Sequence, residues 1–160
     1  MNTIHYKNQE KGQKEEWDTV WTRKGFGTMI ISAGREVYNF FFRRFLLRYI
    51  TAHTEMAEFG SGTATLSLSL AHRMKQYTGF DYSGGAILLA QSNAEKYKAK
   101  NTSFLKHNVL EDNPHFVEKF DIVWSQGLIE HFDAYEPIVR AHWEMAKLGG
   151  VVLISVPYKY

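Results

Sequence analysis

The sequence predicts an α/β fold: a three-layer sandwich with helices on both faces of a mostly parallel sheet. Three observations carry this. From residue 51 onward, short apolar runs alternate with helical spacings. The runs are apolar on both sides, as in strands covered on two faces. A turn of small residues, Gly60, Gly62 and Ala64, lies between the first run and the first helical pattern.

The elements follow in order. Residues 1–16 are rich in Lys, Glu and Gln, with too little apolar surface to offset ordering, so they form a flexible arm. Trp17 and Trp21 stand four apart on one side of a helix turn, either as core anchors or as a lid over a ligand pocket. In "REVYNFFFRRFLLRYI", Val37, Phe41 and Phe45 make one stripe with Tyr38, Phe42 and Tyr49 beside it. That spacing predicts a helix with a wide apolar face. Arg44 and Arg48, one turn apart, form a basic face that is either solvated or turned to an acidic ligand.

"TEMAEF" is the first strand, and "TLSLSLAHRM" a helix with Leu66, Leu70 and Met74 in phase. "YTGFD" is the second strand; in the helix "GGAILLAQSNAEKYK", Ile87, Ala90, Ala94 and Tyr97 share a face. "TSFLKH" is the third strand, and "FDIVWSQ", with Asp121 at its mouth, the fourth. "YEPIVRAHWEMAKLGG" is a helix closed by a glycine pair, and "VVLISVP" a fifth strand stopped by Pro157. Two units result: an arm and cap helices over 1–50, and a ligand-binding domain over 51–160.

The 44 % hydrophobic, 22 % charged composition over 160 residues fits one soluble domain. No apolar run approaches the roughly 18 residues of a membrane span, and the N-terminus lacks the apolar core of a signal peptide. With no Cys there is no disulfide, thiolate metal site or Cys nucleophile, and the expected compartment is cytoplasmic. A net charge of +2 gives no strong nucleic-acid signal, although residues 1–50 carry nine Lys/Arg against five Asp/Glu.

A dinucleotide fingerprint has the form G-x-G-x-x-G around a pyrophosphate. Gly60 and Gly62 fit its first two positions, but Thr65 occupies the third, which disfavours a nicotinamide oxidoreductase. Glu58 places a negative charge just before the turn, where a cationic ligand is better matched than a pyrophosphate. Asp81 ends the second strand, 21 residues after Gly60. A carboxylate there either grips two ribose hydroxyls or serves as a helix N-cap or turn residue, since Asp-Tyr-Ser-Gly is turn-like.

Together "AEFGSGTA", "GFDYSGGAILLAQ", "HNVLED", "FDIVWSQGLIEHF" and "LGGVVLISVP" resemble, in order and spacing, the class I S-adenosylmethionine-dependent methyltransferases, over residues 54 to 157. The resemblance implies a Rossmann-like sheet of order 3-2-1-4-5, with the N-terminal helices over the ligand. S-adenosylmethionine is the implied cofactor. It also implies that Gly60, Ser61 and Gly62 pass close to the methionine part, with Glu58 near its ammonium group. Asp81 would hold the ribose and Tyr82 pack on the adenine. Asn108, where the family often has Asp, would accept from the adenine amino group, and Val109 would offer its backbone N–H. Gln126 and Gly127 would line the space near the sulfonium.

Methyl transfer from a sulfonium is an in-line displacement, so the protein mainly aligns the reactants. A general base is needed only if the acceptor must lose a proton; Glu130 and His131 are the candidates. His107, His115 and His142 lack metal-ligand spacing and are taken as ordinary polar positions, with no metal expected. Family members continue past the fifth strand. The resemblance therefore implies a C-terminally short form lacking strands six and seven, with reduced activity, or a homodimer through strand five. The acceptor is expected to be a small molecule or lipid. The alternative is a non-catalytic adenosyl-binding or interaction domain.

Overall fold

The central apolar runs form strands because each is too short for a stable helix and bears large apolar side chains on both sides. The structure, a computed structural model, describes residues 39–156. The predicted arm, the Trp17/Trp21 turn, Val37, Tyr38 and Pro157 lie outside the described residues. The strands are β1 (Glu55–Phe59), β2 (Gln76–Asp81), β3 (Thr102–Lys106), β4 (Phe120–Gln126) and β5 (Ala146–Ser155). They pair in the order β3-β2-β1-β4-β5, as predicted, and every pairing is parallel. The helices are α1 (39–46), α2 (Thr65–Leu70), α3 (Gly84–Tyr97) and α4 (Glu136–Met145). Strand order reverses at β1, so the crevice where such sheets bind ligands opens beyond the carboxyl ends of β1 and β4.

Each face of the sheet carries its own core. On one, Met56, Tyr77, Ile122 and Trp124 meet Leu46 of α1, Leu66 and Leu70 of α2, and Ala90 and Ala94 of α3. On the other, Ala57, Phe59, Phe80 and Val123 meet Ile138 and Met145 of α4. Phe104, Gly79, Glu58, Trp124 and Leu153 form one register row across all five strands, so they project to the same side. Among the described residues no helix is long and apolar enough to cross a membrane.

Four local expectations change. In α1 the docked side chains are Phe42, stacked on Trp124 at 6.5 Å, and the fully buried Leu46; Phe41 and Phe45 face outward. Two neighbouring stripes of this helix are apolar, and the partner surface selects between them. In α3, Tyr97 is exposed while Ala86 takes a buried place. Met74 is buried but lies past α2, after a 3-10 turn at Ala71–Arg73.

The largest difference is at β5. The predicted helix through the glycine pair ends instead at Met145, and β5 begins at Ala146. Ala146 pairs with Phe120, and the register then jumps so that Val151 pairs with Ile122. The residues between them bulge out through Gly149, at φ +79°, and Gly150, where a Cβ would stand 2.9 Å from the Lys147 carbonyl oxygen. Here the glycines close a bulge rather than end a helix. Lys147 Nζ reaches Asp121 Oδ1 at 2.9 Å, and Asp121 Oδ2 accepts the Glu55 N–H at 2.7 Å. Burial opposes the Asp121 charge, but the Glu55 N–H and the Lys147 ammonium outweigh it and hold the carboxyl below its ordinary range. One side chain thereby joins the starts of β1, β4 and β5.

The docked face of α1 is directly testable by urea unfolding. Leu46→Ala is expected to cost about 2–4 kcal/mol through the cavity it leaves. Phe41→Ala should cost about 0.5 kcal/mol or less, as for other exposed positions. The reverse ranking would restore the sequence-predicted stripe.

Candidate functional site

The turn after β1 takes left-handed dihedrals at alternate residues: Gly60 (φ +63°), Gly62 (φ +51°) and Ala64 (φ +54°). That conformation costs an L-residue about 1–2 kcal/mol. Ala64 accepts it where its small side chain is buried and its carbonyl oxygen starts α2 by accepting the Leu68 N–H. At Gly60 a Cβ would come within 3.0 Å of Leu128 Cδ1, so the missing side chain lets the turn after β4 close on the loop.

Asp81 ties this loop to the next unit. Its Oδ2 accepts the Gly62 N–H and its Oδ1 the Ser83 N–H, both at 2.8 Å. Of the sequence alternatives for Asp81 the turn role is met by the bond to the Ser83 N–H, and the N-cap role is not. The side chain that caps the start of α3 is Ser83, whose Oγ accepts the Ala86 N–H, while Asp81 bridges loop and strand. A carboxylate offers about four acceptor positions, so a ligand diol and the loop can share it. Tyr82, next along, is half-buried.

Beneath the loop lies a buried polar cluster. Glu58 Oε2 accepts from Ser67 Oγ at 2.7 Å and from the Tyr77 hydroxyl at 2.6 Å. Burial raises the Glu58 carboxyl to about 7; the Tyr77 and Ser67 hydroxyls oppose this and the charge of Asp81 adds to it. Tyr77 is pushed far above its ordinary range by burial and by Glu58, so it remains a donor. Its hydroxyl passes over Gly79, where a Cβ would stand 2.9 Å from it. Ser61 Oγ is close enough to ease the titration of Tyr77 slightly, yet it is buried without a hydrogen bond of normal geometry among the described residues.

The far walls come from the ends of β3 and β4. Asn108 is buried, and its Oδ1 accepts the Leu110 N–H at 3.0 Å, so the oxygen expected to face an adenine already shapes the turn; an amide oxygen accepts two bonds. The Val109 side chain is anchored in the second core. Gln126 ends β4, and Gly127, at φ +65°, donates its N–H to the Ser155 carbonyl oxygen at 2.9 Å. Glu130 Oε1 lies 3.3 Å from where a Cβ on Gly127 would be. Glu130 and His131 are exposed on the 3-10 turn Ile129–His131, outside the buried Glu58 cluster.

Sequence reasoning missed Tyr77, Ser67 and Gly79, whose signal was a hydroxyl among leucines in "TLSLSL" and a glycine inside a strand. It also took His142 as an ordinary polar position, whereas His142 is fully buried. Its Nδ1 lies 2.7 Å from the Ile138 carbonyl oxygen, which can only accept, so Nδ1 carries the proton. Nε2 then accepts from Ser125 Oγ at 2.9 Å. Burial lowers the pKa of His142 against the opposing Ile138 carbonyl, keeping the ring neutral and pinning the end of β4. A groove of about 570 Å³ runs between the segment after β3 and α4, lined by Val109 of the predicted site together with Val117 and Arg140. Among the described residues no His, Asp and Glu group could hold a metal ion.

Comparison with known proteins agrees with this geometry. A family model described as a methyltransferase domain matches residues 50–159. No curated protein matches the chain. Among solved structures, a Methanococcus maripaludis protein assigned to the S-adenosylmethionine-dependent methyltransferases is similar at 19 % identity and a TM-score of 0.67, over 96 % of this chain and 66 % of that one. S-adenosylmethionine-dependent methyltransferases from Thiobacillus denitrificans and Geobacter sulfurreducens, both in complex with S-adenosylhomocysteine, are similar at 18 % and 19 % identity, with TM-scores of 0.56 and 0.57. Those two matches cover 66 % and 68 % of this chain and 42 % and 43 % of the others, so the chain spans less than half their length. At these identities the likeness is one of fold.

The Glu58 cluster predicts a pH-dependent stability. The folded protein holds this proton more tightly than the unfolded chain, so the stability it contributes is full below pH 4.5 and is lost as pH rises through about 7. The rise from 4.5 to about 7 corresponds to about 3 kcal/mol. Glu58→Gln keeps an oxygen to accept both hydroxyls. It should therefore be more stable than the parent at pH 8, by up to about 3 kcal/mol, and indistinguishable at pH 4. Denaturation curves at the two pH values check this; equal stability at pH 8 would contradict it.

Proposed function

The chain belongs to the methyltransferase-domain family across residues 50–159, and from that premise we propose that it binds S-adenosylmethionine and methylates a small-molecule or lipid acceptor. The observation that carries the reading is the Asp81 clamp. It sets an acidic strand end against a glycine turn through a 2.8 Å bond to the Gly62 N–H, at the switch point of the sheet.

The residues present fit that cofactor. The turn has left-handed glycines that let backbone approach a ligand closely, a buried hydroxyl at Ser61 without a bonded partner among the described residues, and a buried carboxylate at Glu58 for a cation. When bound, S-adenosylmethionine supplies an electrophilic methyl group on a sulfonium. In this reading Gly60, Ser61 and Gly62 hold the methionine part, and Glu58 balances its positive charge. Asp81 accepts from the ribose hydroxyls, Tyr82 packs on the adenine, and Asn108 and Val109 bond its edge. Gln126 and Gly127 shape the space where the acceptor approaches. Glu130 or His131 takes a proton from acceptors that must lose one, and their exposure leaves that proton a route to solvent.

That same exposure also suits a second reading, a domain that binds the adenosyl ligand without turning it over. Methyl transfer to a panel of acceptors, set beside calorimetric binding of the cofactor alone, separates the two.

S-adenosylmethionine at a hundred times its dissociation constant should stabilise the fold by about 2.7 kcal/mol in a thermal melt, while NAD leaves it unchanged. Asp81→Ala should weaken S-adenosylmethionine binding about 30-fold, the scale of losing a hydrogen bond to a charged group. Equal affinity in parent and variant would overturn the site assignment.

A further inference from the structure

Resting on the cofactor reading above, we propose that Tyr77 is a positioning residue for the cationic end of the cofactor: with Ser67 it holds the Glu58 carboxyl under the glycine loop, and binding a cationic adenosyl ligand expels a proton from Glu58 to solvent. Three elements meet at one oxygen. Tyr77 of β2 and Ser67 of α2 both donate to Oε2 of Glu58 on β1, at 2.6 and 2.7 Å. Tyr77 and Gly79 point to the same side of β2, and only the missing side chain at Gly79 lets the Tyr77 hydroxyl lean along the strand to reach Glu58.

The groups facing Glu58 are Tyr77 and Asp81 from β2, Ser67 from α2, Ser61 from the loop and, in the same register row, Trp124 from β4, on which Phe42 of α1 stacks. None of these is a cation. A buried carboxylate whose charged neighbour is another carboxylate keeps its proton toward neutral pH, and Glu58 does so to about 7. A cation at the loop favours the ionised form, so the proton leaves as the ligand arrives. The hydroxyl bonds act in the same sense as the cation, because both are stronger to the ionised carboxylate. Removing either hydroxyl makes Glu58 hold its proton to higher pH.

Calorimetric titration of the full chain with S-adenosylmethionine from pH 5.5 to 7.5, in buffers of different ionisation enthalpy, tests this. The window lies below the titration of a ligand α-amino group at about 8. Affinity should weaken about tenfold or more from pH 7.5 to 5.5, with proton release on binding at the acid end. Adenosine, which lacks the cation, should bind equally across the range. Tyr77→Phe should carry the midpoint up by about one pH unit, past the top of the window, so its affinity still climbs about eightfold between pH 6.5 and 7.5 where the parent's climbs only about threefold, as expected for one lost hydrogen bond. Ser67→Ala should move it the same way, and it decides the matter if Tyr77→Phe does not fold. S-adenosylmethionine binding that is flat with pH, or a midpoint unmoved in the folded variants, overturns this inference and leaves the cofactor reading standing. No binding at any pH overturns both.

Discussion

The architecture turns on one carboxylate that takes a backbone N–H on each oxygen. In the left-handed loop after β1 the Ser61 N–H bonds to the Phe80 carbonyl oxygen of β2 at 3.0 Å, and the Gly62 N–H finds its acceptor in the Asp81 side chain. The same side chain accepts the Ser83 N–H at the entry to α3. The end of β1, the end of β2 and the start of α3 are thereby set relative to one another by two charge-assisted hydrogen bonds. Leu128 closes the third side by resting on Gly60. The crevice of the parallel sheet thus has walls with defined backbone positions, the condition for gripping a ligand largely through main-chain contacts.

Polar groups are concentrated at this end of the sheet, one set on each face. On the α2 side Glu58 accepts from two hydroxyls; on the α4 side neutral His142 accepts from the Ser125 hydroxyl and donates its Nδ1–H to the Ile138 carbonyl oxygen. The two sets differ in what their burial costs. The His142 chain is uncharged and satisfied, so it stiffens the end of β4 at little expense of stability. Glu58 must be desolvated whenever it ionises, and its two hydroxyls offset only part of that. On the proposed cofactor reading, Glu58 costs stability until a cation binds, which is the usual trade between a functional group and the fold that holds it.

Much of the fold was legible because parallel strands buried on both faces are nearly continuous apolar runs. "FDIVWSQ" became β4 residue for residue. The left-handed glycine turn and the place of Asp81 at the end of β2 were legible too, since both depend on residue types a few positions apart. Periodicity was less informative where a helix had two apolar stripes, as in α1, and where glycines served two purposes, as in "KLGG". There the outcome depended on a partner surface, Trp124 for Phe42 and the Phe120–Ile122 register for the β5 bulge.

The sequence by itself determined the alternation of strands and helices, the left-handed turn and the acidic strand end, because each depends on steric and charge preferences within a few neighbouring residues. Only the tertiary structure decided that Glu58, Ser67 and Tyr77 share one oxygen, that Gly79 must be bare, and that His142 is a buried neutral clamp. The bonds from Glu58 to Ser67 and Tyr77 and from His142 to Ser125 join residues 9, 19 and 17 positions apart, which no local pattern connects. The Glu58 cluster arises when the parallel register sets Gly79 and Trp124 beside Glu58 on a buried face of the sheet. Burial then turns an ordinary carboxylic acid into a group that changes charge near neutral pH.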